Sequence, residues 1–478
     1  MRLHSLHSVA DVSALTLCAA SCSLGRVVLL ARSFLAGYLK KVLQAMNVRF
    51  LFTWSMVCGF LWPASFAAEL PKFDPPALYL TWQRDPRTTM TVHWHSDWTE
   101  GFRDPALQYQ EAKSRKWTLA VGAWHPMPFT NRIVHTVELA GLKPSTEYRF
   151  RLGKLMAQGA LGFRFEPDSP TNKFRTMPAT GDQPIRFAVG GDVYGDRERY
   201  EVMCRHVAEL DPHFAIVGGD IAYENGNPAN ARRWFAFLEV WMTEMVAPDG
   251  RLIPILPAIG NHETHGNAYT RGGGGVGSGI SPNRSPYYFS LFSMPGKPGY
   301  NVLDFGNYLS VFLMDSFHAN RVAGPQTEWL EQALGRRRHV KHIVAAYHVP
   351  AYPSYRPYRG QVSEMIREHW VPLFEKGGLR LAFEHHDHTY KRTHPLRGGK
   401  VDPKGIVFVG DGCWGVIPRK THPVDKTWYL ARAESVNHVN FVTLQGDRRH
   451  VKSVDIDGRV IDEFSVDGKG PVVGGSGK

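Results

Sequence analysis

Apolar and polar residues follow two different patterns along the chain, one on each side of residue 180. Over residues 71–178 they alternate with period two in short runs separated by turn residues, which is typical of half-buried strands. From residue 184 onward the runs are continuously apolar, helical spacing appears between them, and most runs end in a group of polar side chains. The two patterns predict an α+β protein with an all-β N-terminal domain (71–178) and a second domain (184–465) built on a β-sandwich with helices outside.

The first domain contains a specific turn signal. Its alternating runs predict strands at 77–82, 89–94, 132–139 and 147–152. Residues 139–151 read LAGLKPSTEYRFR, and a tyrosine in the position of Tyr148 can return its hydroxyl group to upstream backbone. The segment resembles a fibronectin type III domain, which implies a sandwich of roughly 100 residues. No catalytic set of side chains is apparent in it.

The second domain alternates strands and helices. The predicted strands are 185–190, 214–217, 252–259, 308–314, 342–347, 379–383 and 405–409, followed by a hairpin of 439–444 and 451–456. The predicted helices are 199–210, 230–245 and 327–334. The glycine-rich segment 264–288 contains a GxGxxG spacing, but no strand precedes it and Ser281-Pro282 follows. A rim loop is therefore a better interpretation than a nucleotide-binding loop.

One strand end carries the most informative pair of side chains. The apolar run 214–217 opens through two glycines onto Asp220, and Tyr223 follows three residues later. A carboxylate in such a place can bridge two cations, and a phenolate beside it favours a hard, highly charged metal such as ferric iron. The ordinary alternative is an aspartate that caps a helix and a tyrosine that packs nearby.

The same arrangement recurs at four more strand ends. The further candidate ligands there are Asp192, Asn261, His348, His386 and His388. Each has an ordinary explanation as a cap, turn or loop residue. His386 and His388 are one residue apart, so on an extended segment they would point the same way, and His385 would point away. Seven ligand-type side chains after five separate strands are an improbable coincidence, and the set predicts a metal site.

Five short blocks carry a family resemblance. They are Gly191-Asp192-Val193-Tyr194-Gly195, Gly219-Asp220-Ile221-Ala222-Tyr223, Gly260-Asn261-His262-Glu263, Ala345-Ala346-Tyr347-His348 and His385-His386-Asp387-His388. In this order they resemble the blocks of the purple acid phosphatases, which are calcineurin-like metallophosphoesterases with a fibronectin-like N-terminal domain. The resemblance extends over about residues 72–465 and implies a four-layer α/β/β/α second domain.

The resemblance also implies a ligand set. Asp192, Tyr223 and His388 would hold a first metal, ferric iron, and Asp220 would bridge it to a second. Asn261, His348 and His386 would hold that second metal, a divalent iron, zinc or manganese ion. This chain departs from the family pattern at Tyr194 and His385, which replace glycines, and at Ala345, which replaces a valine. No ligand is lost by these changes.

The expected reaction follows from the charge of such a site. Two cations partly neutralised by carboxylates and a phenolate attract a phosphate ester and supply hydroxide at acid pH. His262 is the candidate acid for the leaving group. Arg356, Arg359, Lys391 and Arg392 are candidate phosphate or leaving-group contacts, although side chains of this kind are more often solvated surface charges. The predicted function is an acid phosphomonoesterase acting on small phosphate esters. The alternatives are a phosphodiesterase on the same scaffold and a catalytically silent cell-surface binding protein.

The first 68 residues predict a leader. Residues 46–68 combine Arg49, an apolar run and Ala67-Ala68, the layout of a secretory signal peptide, so Met46 would be the true start and 1–45 a gene-model extension. Cleavage would give a secreted, periplasmic or extracellular protein without stable membrane insertion. An uncleaved anchor is the alternative, but the run is marginal for the ~20 residues that a bilayer requires.

Net charge and cysteine content limit the classes of ligand and the disulfides that the chain can have. The net charge of +12 lies partly in the leader, and the mildly basic remainder suits anionic small molecules but is too diffuse for nucleic acid. After the leader, Cys204 and Cys413 allow one disulfide and no disulfide framework. The tail 466–478 is predicted to be disordered. Nothing in the sequence indicates an oligomeric state.

Overall fold

A computed structural model describes residues 74–98, 105–157, 162–265 and 282–468. The predicted leader (1–68) and most of the predicted tail lie outside these ranges. Within them, no helix is both long enough and apolar enough to cross a membrane.

The N-terminal part is a sandwich of two antiparallel sheets. Its strands are β1 (Leu78–Thr81), β2 (Thr89–Asp97), β3 (Ala106–Glu111), β4 (Thr118–Val121), β5 (Ala123–Pro126), β6 (Arg132–Ala140), β7 (Glu147–Ala157), β8 (Phe163–Pro167) and β9 (Asn172–Arg175). One sheet has the order β1-β2-β6-β5, and the other has the order β4-β3-β7-β8, with β9 also paired to β7. The Tyr148 hydroxyl accepts a hydrogen bond from the Lys143 backbone N–H at 2.9 Å, which confirms the predicted return of that side chain.

The remainder of the chain contains six α-helices and fifteen strands within the described ranges. In chain order they are β10 (Ile185–Gly190), α1 (Arg197–Glu209), β11 (Phe214–Gly218), α2 (Arg232–Glu244), β12 (Ile255–Ala258), α3 (Pro286–Leu291), β13 (Asn301–Phe305), β14 (Leu309–Leu313), α4 (Pro325–Gly335), β15 (His342–Ala346), α5 (Gln361–His369), α6 (Val371–Gly377), β16 (Leu381–Glu384), β17 (Tyr390–Thr393), β18 (Leu396–Arg397), β19 (Lys400–Val401), β20 (Val407–Gly410), β21 (Leu430–Glu434), β22 (His438–Gln445), β23 (Arg448–Asp455) and β24 (Val460–Val466).

Two mixed sheets form the centre of this part. The six-stranded sheet has the order β12-β11-β10-β22-β23-β24, and β10, β11 and β12 run parallel. The seven-stranded sheet has the order β13-β14-β15-β16-β20-β17-β21, and β14, β15, β16 and β20 run parallel. The carboxyl ends of the parallel strands therefore define one edge of each sheet.

The two sheets pack face to face with helices on their outer sides. Along β10, Phe187 and Val189 enter the core shared with the second sheet, whereas Ala188 packs toward α1 and α2. Phe187 meets Phe383 of the second sheet edge to face, with ring centroids 6.3 Å apart. Helices α4, α5 and α6 cover the outer face of the seven-stranded sheet. This arrangement confirms the predicted four-layer α/β/β/α fold after an N-terminal sandwich.

The sandwich contacts the second part through α3. The Tyr79 hydroxyl donates to the Leu291 carbonyl at 2.7 Å, and His125 Nε2 lies 2.8 Å from the Ser290 carbonyl oxygen. Cys204 and Cys413 are both buried and both free, so the allowed disulfide does not form.

Candidate metal centre

The first four predicted ligands lie at one edge of the six-stranded sheet. Asp192 follows β10, Asp220 and Tyr223 follow β11, and Asn261 follows β12. These three strands are parallel neighbours, so their carboxyl ends bring the four side chains together.

The three predicted histidine ligands come from the other sheet. His348 follows β15, and His386 and His388 follow β16, which pairs with β15 in parallel. Because the two sheets face each other, all seven side chains meet at a common edge. Each of them is buried or nearly so.

Three of the seven form a first group, joined by direct contacts. His388 Nε2 lies 3.0 Å from Asp192 Oδ1. The Tyr223 hydroxyl lies 3.2 Å from the same carboxylate oxygen and 3.3 Å from His388 Nε2. A carboxylate, a phenol and an imidazole thus present their polar atoms to one small volume.

The other four form a second group around His348. Its Nε2 atom lies 3.0 Å from Asp220 Oδ2, 3.1 Å from Asn261 Oδ1 and 2.9 Å from His386 Nδ1. Ligand atoms of Asp220, His348 and His386 all lie within 4.8 Å of one another. Two carboxylates, an amide, a phenol and three imidazoles are a set of oxygen and nitrogen donors that fits transition-metal ions.

The backbone at this edge is held in an unusual conformation. Five of the seven residues have positive φ angles, namely Asp192 (55°), Asp220 (51°), Tyr223 (58°), His386 (79°) and His388 (58°). A left-handed backbone at a non-glycine residue costs about 1–3 kcal/mol and concentrates at functional sites. Strain shared by the ligand-type residues is therefore independent support for a functional edge.

Buried hydrogen bonds orient the groups. The Glu263 carboxylate accepts from the backbone N–H groups of Gly260 (2.7 Å), Asp220 (2.9 Å) and Ile221 (2.7 Å), which ties the loops after β11 and β12 together. His348 Nδ1 lies 3.0 Å from the Gly218 carbonyl oxygen, so Nδ1 carries the proton and Nε2 is directed at Asp220.

The ionisable side chains of the site shift one another's pKa values. Burial alone would lower the pKa of His348, but the carboxylates of Asp220 and Asp192 outweigh it and raise that pKa to about 9. Burial opposes ionisation of the two carboxylates, yet His388 lowers the pKa of Asp192 and His348 lowers the pKa of Asp220. Burial raises the pKa of Tyr223 well above its usual value, and Asp192 adds to the rise. A phenolate at Tyr223 therefore requires a strongly charged cation in place of its proton.

Comparison with known proteins identifies the architecture around this edge. Residues 75–176 match the family model described as purple acid phosphatase, N-terminal domain, and residues 185–390 match the model of the calcineurin-like phosphoesterases. The two matches follow each other in one chain and together include more than half of it. This chain belongs to the purple acid phosphatase family.

Individual relatives are distant. The chain is 27% identical over 307 residues to purple acid phosphatase 15 of Arabidopsis thaliana, a match that includes 59% of this chain and 54% of that protein. It is 24% identical over 455 residues to acid phosphatase type 7 of Mus musculus, with 84% of this chain and 92% of the relative included. The chain spans between about half and two thirds of the length of the first plant relatives.

A solved structure shares the fold. The purple acid phosphatase from yellow lupin seeds superposes with a TM-score of 0.68 over 82% of this chain and 74% of that one, at 18% sequence identity. At this identity the likeness shows the fold alone.

The predicted acid, His262, lies beside the second group of donors. Its backbone N–H donates to Asp220 Oδ1 at 2.8 Å, and its ring packs on Tyr223 with centroids 4.3 Å apart. The ring Nδ1 makes a short hydrogen bond with the Asn225 side-chain oxygen, and Nε2 lies 3.8 Å from Asp220 Oδ2. Asn225 was not singled out from the sequence, although its position two residues after Tyr223 was a usable signal.

The three predicted arginine contacts differ in position. Arg356 donates to the His386 carbonyl at 2.5 Å and pairs with Asp387 at 2.8 Å, which places it next to the centre. Arg359 is exposed. Arg392 pairs with Asp462 at 2.6 Å and packs over the Phe464 ring, both on β24, so its guanidinium is already engaged elsewhere.

The loop that carries the histidine pair differs from the sequence prediction. It is a turn and not an extended segment, because His386 and His388 both adopt left-handed backbone conformations. The two rings consequently serve different groups. His385 does turn away, as predicted, since its Nδ1 bonds the Tyr347 carbonyl oxygen at 2.8 Å in the core.

A buried ion-pair cluster supports this loop. Lys391, which the sequence suggested as a phosphate contact, is fully buried and pairs with Glu384 at 2.6 Å and Asp411 at 3.1 Å. The suggestion is therefore wrong, because no substrate can reach the ammonium group. Glu384 also accepts from the Ala351 backbone N–H at 2.7 Å, so the cluster joins the loops after β15 and β16.

Proposed function

We propose that this protein is a binuclear metal-dependent phosphomonoesterase, an acid phosphatase that acts on small phosphate esters. The observation that carries the proposal is the division of seven donor side chains into two contacting groups at one edge. Two groups of donors suit two cations, which is the arrangement used to hold both a phosphoryl group and its nucleophile.

The proposed ligand assignment follows the contacts. Asp192, Tyr223 and His388 would hold a first cation, Asn261, His348 and His386 a second, and Asp220 would bridge the two. The phenol of Tyr223 suits ferric iron at the first position, with iron, zinc or manganese in the divalent state at the second. When bound, such a pair supplies Lewis acidity toward the phosphoryl oxygens and acidifies a water molecule.

The chain's own contribution to the reaction is orientation and proton delivery. The Asn225 side-chain oxygen accepts from His262 Nδ1–H, so Nε2 is the ring atom that faces the centre. In the imidazolium form, His262 Nε2 would donate its proton to the ester oxygen as the leaving group departs. Burial lowers the pKa of His262, so this form is favoured at acid pH. Arg356, fixed by Asp387, adds positive charge beside the site for the anionic substrate. Arg392 has no part in this scheme.

The proposed domains are the sandwich over 71–178 and the metallophosphoesterase domain over 184–465. Secretion through a signal peptide at 46–68 completes the proposal. N-terminal sequencing of protein recovered from the medium or the periplasm, with a first residue after Ala68, would support it.

Metal analysis combined with turnover tests the proposed activity. The purified chain should contain two metal ions per molecule and hydrolyse phenyl phosphate faster at acid than at alkaline pH. Removal of metal with a chelator should abolish turnover, and metal addition should restore it. Bis-phenyl phosphate, assayed at the same pH values, separates monoesterase from diesterase activity. Absence of both turnover and bound metal would favour the silent binding protein.

Tyr223→Phe tests the identity of the first metal. A tyrosinate on ferric iron gives a visible charge-transfer band, which should vanish in the variant. Tyr355→Phe, a change at an exposed tyrosine, is the matched control and should keep the band. A wild-type protein with two metals but no iron and no band contradicts the iron assignment while leaving hydrolysis possible.

A further inference from the structure

A cleft adjoins the first group of donors and has no role in the scheme above. It encloses about 480 Å³, and His388 forms part of its wall. One side is the start of α1, with Asp196 and Arg199, and the other is the loop after β20, with Ile417 and Arg419. A molecule in this cleft would therefore lie directly beside the candidate metal centre.

The loop after β20 is fixed against the site by its backbone. The Trp414 N–H donates to the Gly191 carbonyl oxygen at 3.0 Å, and the Gly415 N–H donates to the Asp192 carbonyl oxygen at 3.1 Å. Farther along, the Arg419 N–H donates to the His388 carbonyl oxygen at 2.8 Å. The position of the Arg419 backbone is thus set by two of the candidate ligands' own loops.

The cleft combines an apolar surface with positive charge. Ile417 is 73% exposed, which is unusual for a large apolar side chain and leaves its surface available to an apolar part of a ligand. Arg199 lies 3.9 Å from the Asp196 carboxylate and donates to Asn437 Oδ1 at 2.9 Å, so its charge is partly balanced. Of the two cations, Arg419 is the better placed to bind an anion.

The guanidinium group of Arg419 is held in place by contacts with a backbone carbonyl and an aromatic ring. Its Nη1 donates to the His386 carbonyl oxygen at 3.3 Å, and its plane packs over Tyr355 at 5.2 Å. Among the residues described, no acidic side chain pairs with it. A guanidinium held in this way matches the two oxygens of a carboxylate or a phosphate and loses little side-chain entropy on binding them.

We propose that this cleft holds the leaving group of the ester and that Arg419 recognises a second oxyanion carried by that group. The preferred substrates would be phosphomonoesters whose leaving group has an apolar body, packed on Ile417, and an anionic substituent directed at Arg419. This inference rests on the proposed phosphatase activity, because it assigns the substrate class of that same site.

A pair of isosteric esters tests the proposal. The ratio of kcat/KM for 4-carboxyphenyl phosphate to kcat/KM for 4-carbamoylphenyl phosphate compares an anionic with a neutral substituent of the same shape. Comparing the ratio between variants cancels the difference in leaving-group reactivity. Loss of one charge-assisted contact in Arg419→Gln should lower the ratio about tenfold, while Arg419→Lys should retain part of it.

A control variant and a binding measurement accompany the kinetic test. Lys420→Gln removes an exposed neighbouring charge that does not line the cleft, and it should leave the ratio within about twofold of wild type. Calorimetric titration with 4-carboxyphenyl phosphonate and 4-carbamoylphenyl phosphonate should show the same preference without turnover, again lost in Arg419→Gln.

The outcomes separate the inference from the activity on which it rests. Turnover of both esters with the same ratio in wild type and Arg419→Gln overturns the role of Arg419. A preference of the wild type for the carboxyphosphonate that depends on Arg419, without turnover of any ester, keeps the anion site and overturns the phosphatase assignment. Failure to bind either phosphonate and to hydrolyse either ester overturns both.

Discussion

The two sheets contribute different chemistry to the edge where they meet. The six-stranded sheet supplies oxygen donors from Asp192, Asp220, Tyr223 and Asn261, and the seven-stranded sheet supplies only imidazoles, from His348, His386 and His388. Each contacting group takes members from both sheets. Neither sheet can therefore form half of the centre alone, and the geometry of the site depends on the core that joins the sheets.

The two sides are also supported differently. On the oxygen side one carboxylate, Glu263, accepts three backbone N–H groups and so fixes two loops. On the imidazole side the support is a fully buried cation, Lys391, between the carboxylates of Glu384 and Asp411. Removing the first support leaves neutral donors unpaired, whereas removing the second leaves buried charge. We therefore expect the imidazole side to be the more fragile one.

The largest effect is expected from Asp220→Asn, which removes the charge that belongs to both cations in the proposal. The amide has nearly the same shape, and asparagine tolerates the left-handed backbone at φ 51°, so the fold should be retained. Loss of this shared carboxylate should weaken the hold on both cations, whose charge would stabilise the transition state, and should reduce kcat on the order of 10³-fold. Turnover of phenyl phosphate and metal content are the measurements. The exposed Asp457→Asn is the control, and two bound metals with kcat close to wild type would contradict the bridging role.

Lys391→Met should be the most damaging change to stability among the supports. It leaves Glu384 and Asp411 buried without their cation, which typically costs about 3–5 kcal/mol. The free energy of unfolding from denaturant titration is the measurement, and Lys376→Met, at an exposed ion pair with Glu331, should change it by less than about 1 kcal/mol. Equal losses of unfolding free energy in Lys391→Met and Lys376→Met would show that the buried cluster stabilises the fold no more than an exposed ion pair does.

Glu263→Gln should have a smaller effect on the oxygen side. Glutamine keeps only one of the two acceptor oxygens and places an NH2 donor at the other. Either the Ile221 N–H or the N–H groups of Asp220 and Gly260 therefore lose their acceptor, and we expect a loss of about 1–3 kcal/mol in the free energy of unfolding. Since Glu263 orients the loops of Asp220 and Asn261, affinity for the second metal should fall about 10–100-fold. Metal titration with a competing chelator measures this. Wild-type metal affinity in Glu263→Gln would show that Glu263 does not position the metal-binding loops.

The smallest and most pH-dependent effect is expected at the edge away from the candidate metal centre. His342 Nε2 lies 3.0 Å from the Gly446 carbonyl oxygen and links the two sheets there. Burial, with a contribution from Arg449, lowers the pKa of His342 from 6.5 to about 3. The unfolded chain thus binds a proton below pH 6.5 that the folded chain rejects until about pH 3, so acidification through this window destabilises the fold by at most about 1.4 kcal/mol per pH unit.

His342→Gln keeps a donor for Gly446 and removes this titration. Between pH 6.5 and 4.5 the variant should lose about 2 kcal/mol less of its free energy of unfolding than wild type. His339→Gln, at an exposed histidine three residues earlier in the chain, is the matched control and should follow the wild-type curve. Parallel curves for wild type and His342→Gln would show that the imidazole is not kept neutral.

Much of the fold was predictable from the chain because its signals are local. Continuous apolar runs marked the strands β10, β11 and β15, and polar residues directly after them marked the edge. Elements without such a contrast were not predicted. Helix α5 has apolar residues at 362, 365 and 366, a usable helical spacing, but its polar composition concealed it. Strands β17 and β21 pair residues that are distant in the sequence, such as Arg392 and Arg432, and nothing local indicates that pairing.

Side-chain partners were less predictable than positions. Arg392 was a reasonable anion contact until Asp462, 70 residues away, was found to pair with it. Lys391 looked like a surface charge because the sequence does not show that Glu384 and Asp411 converge on it. The left-handed backbone at His386 and His388 also depends on contacts across the edge, since Asp192 Oδ2 accepts from the His386 N–H at 2.8 Å. These features belong to tertiary packing.

The reactivity of the two free thiols can be used to follow local opening of the folded protein. Cys204 and Cys413 are both fully enclosed, and burial raises the pKa of each thiol well above its usual value. An alkylating reagent can reach them only when the surrounding layers part, because the thiolate is the reactive form and requires solvent. The two positions lie on α1 and in the loop after β20, so the rates at which they are modified would tell whether helix layer and site loop separate together or one before the other.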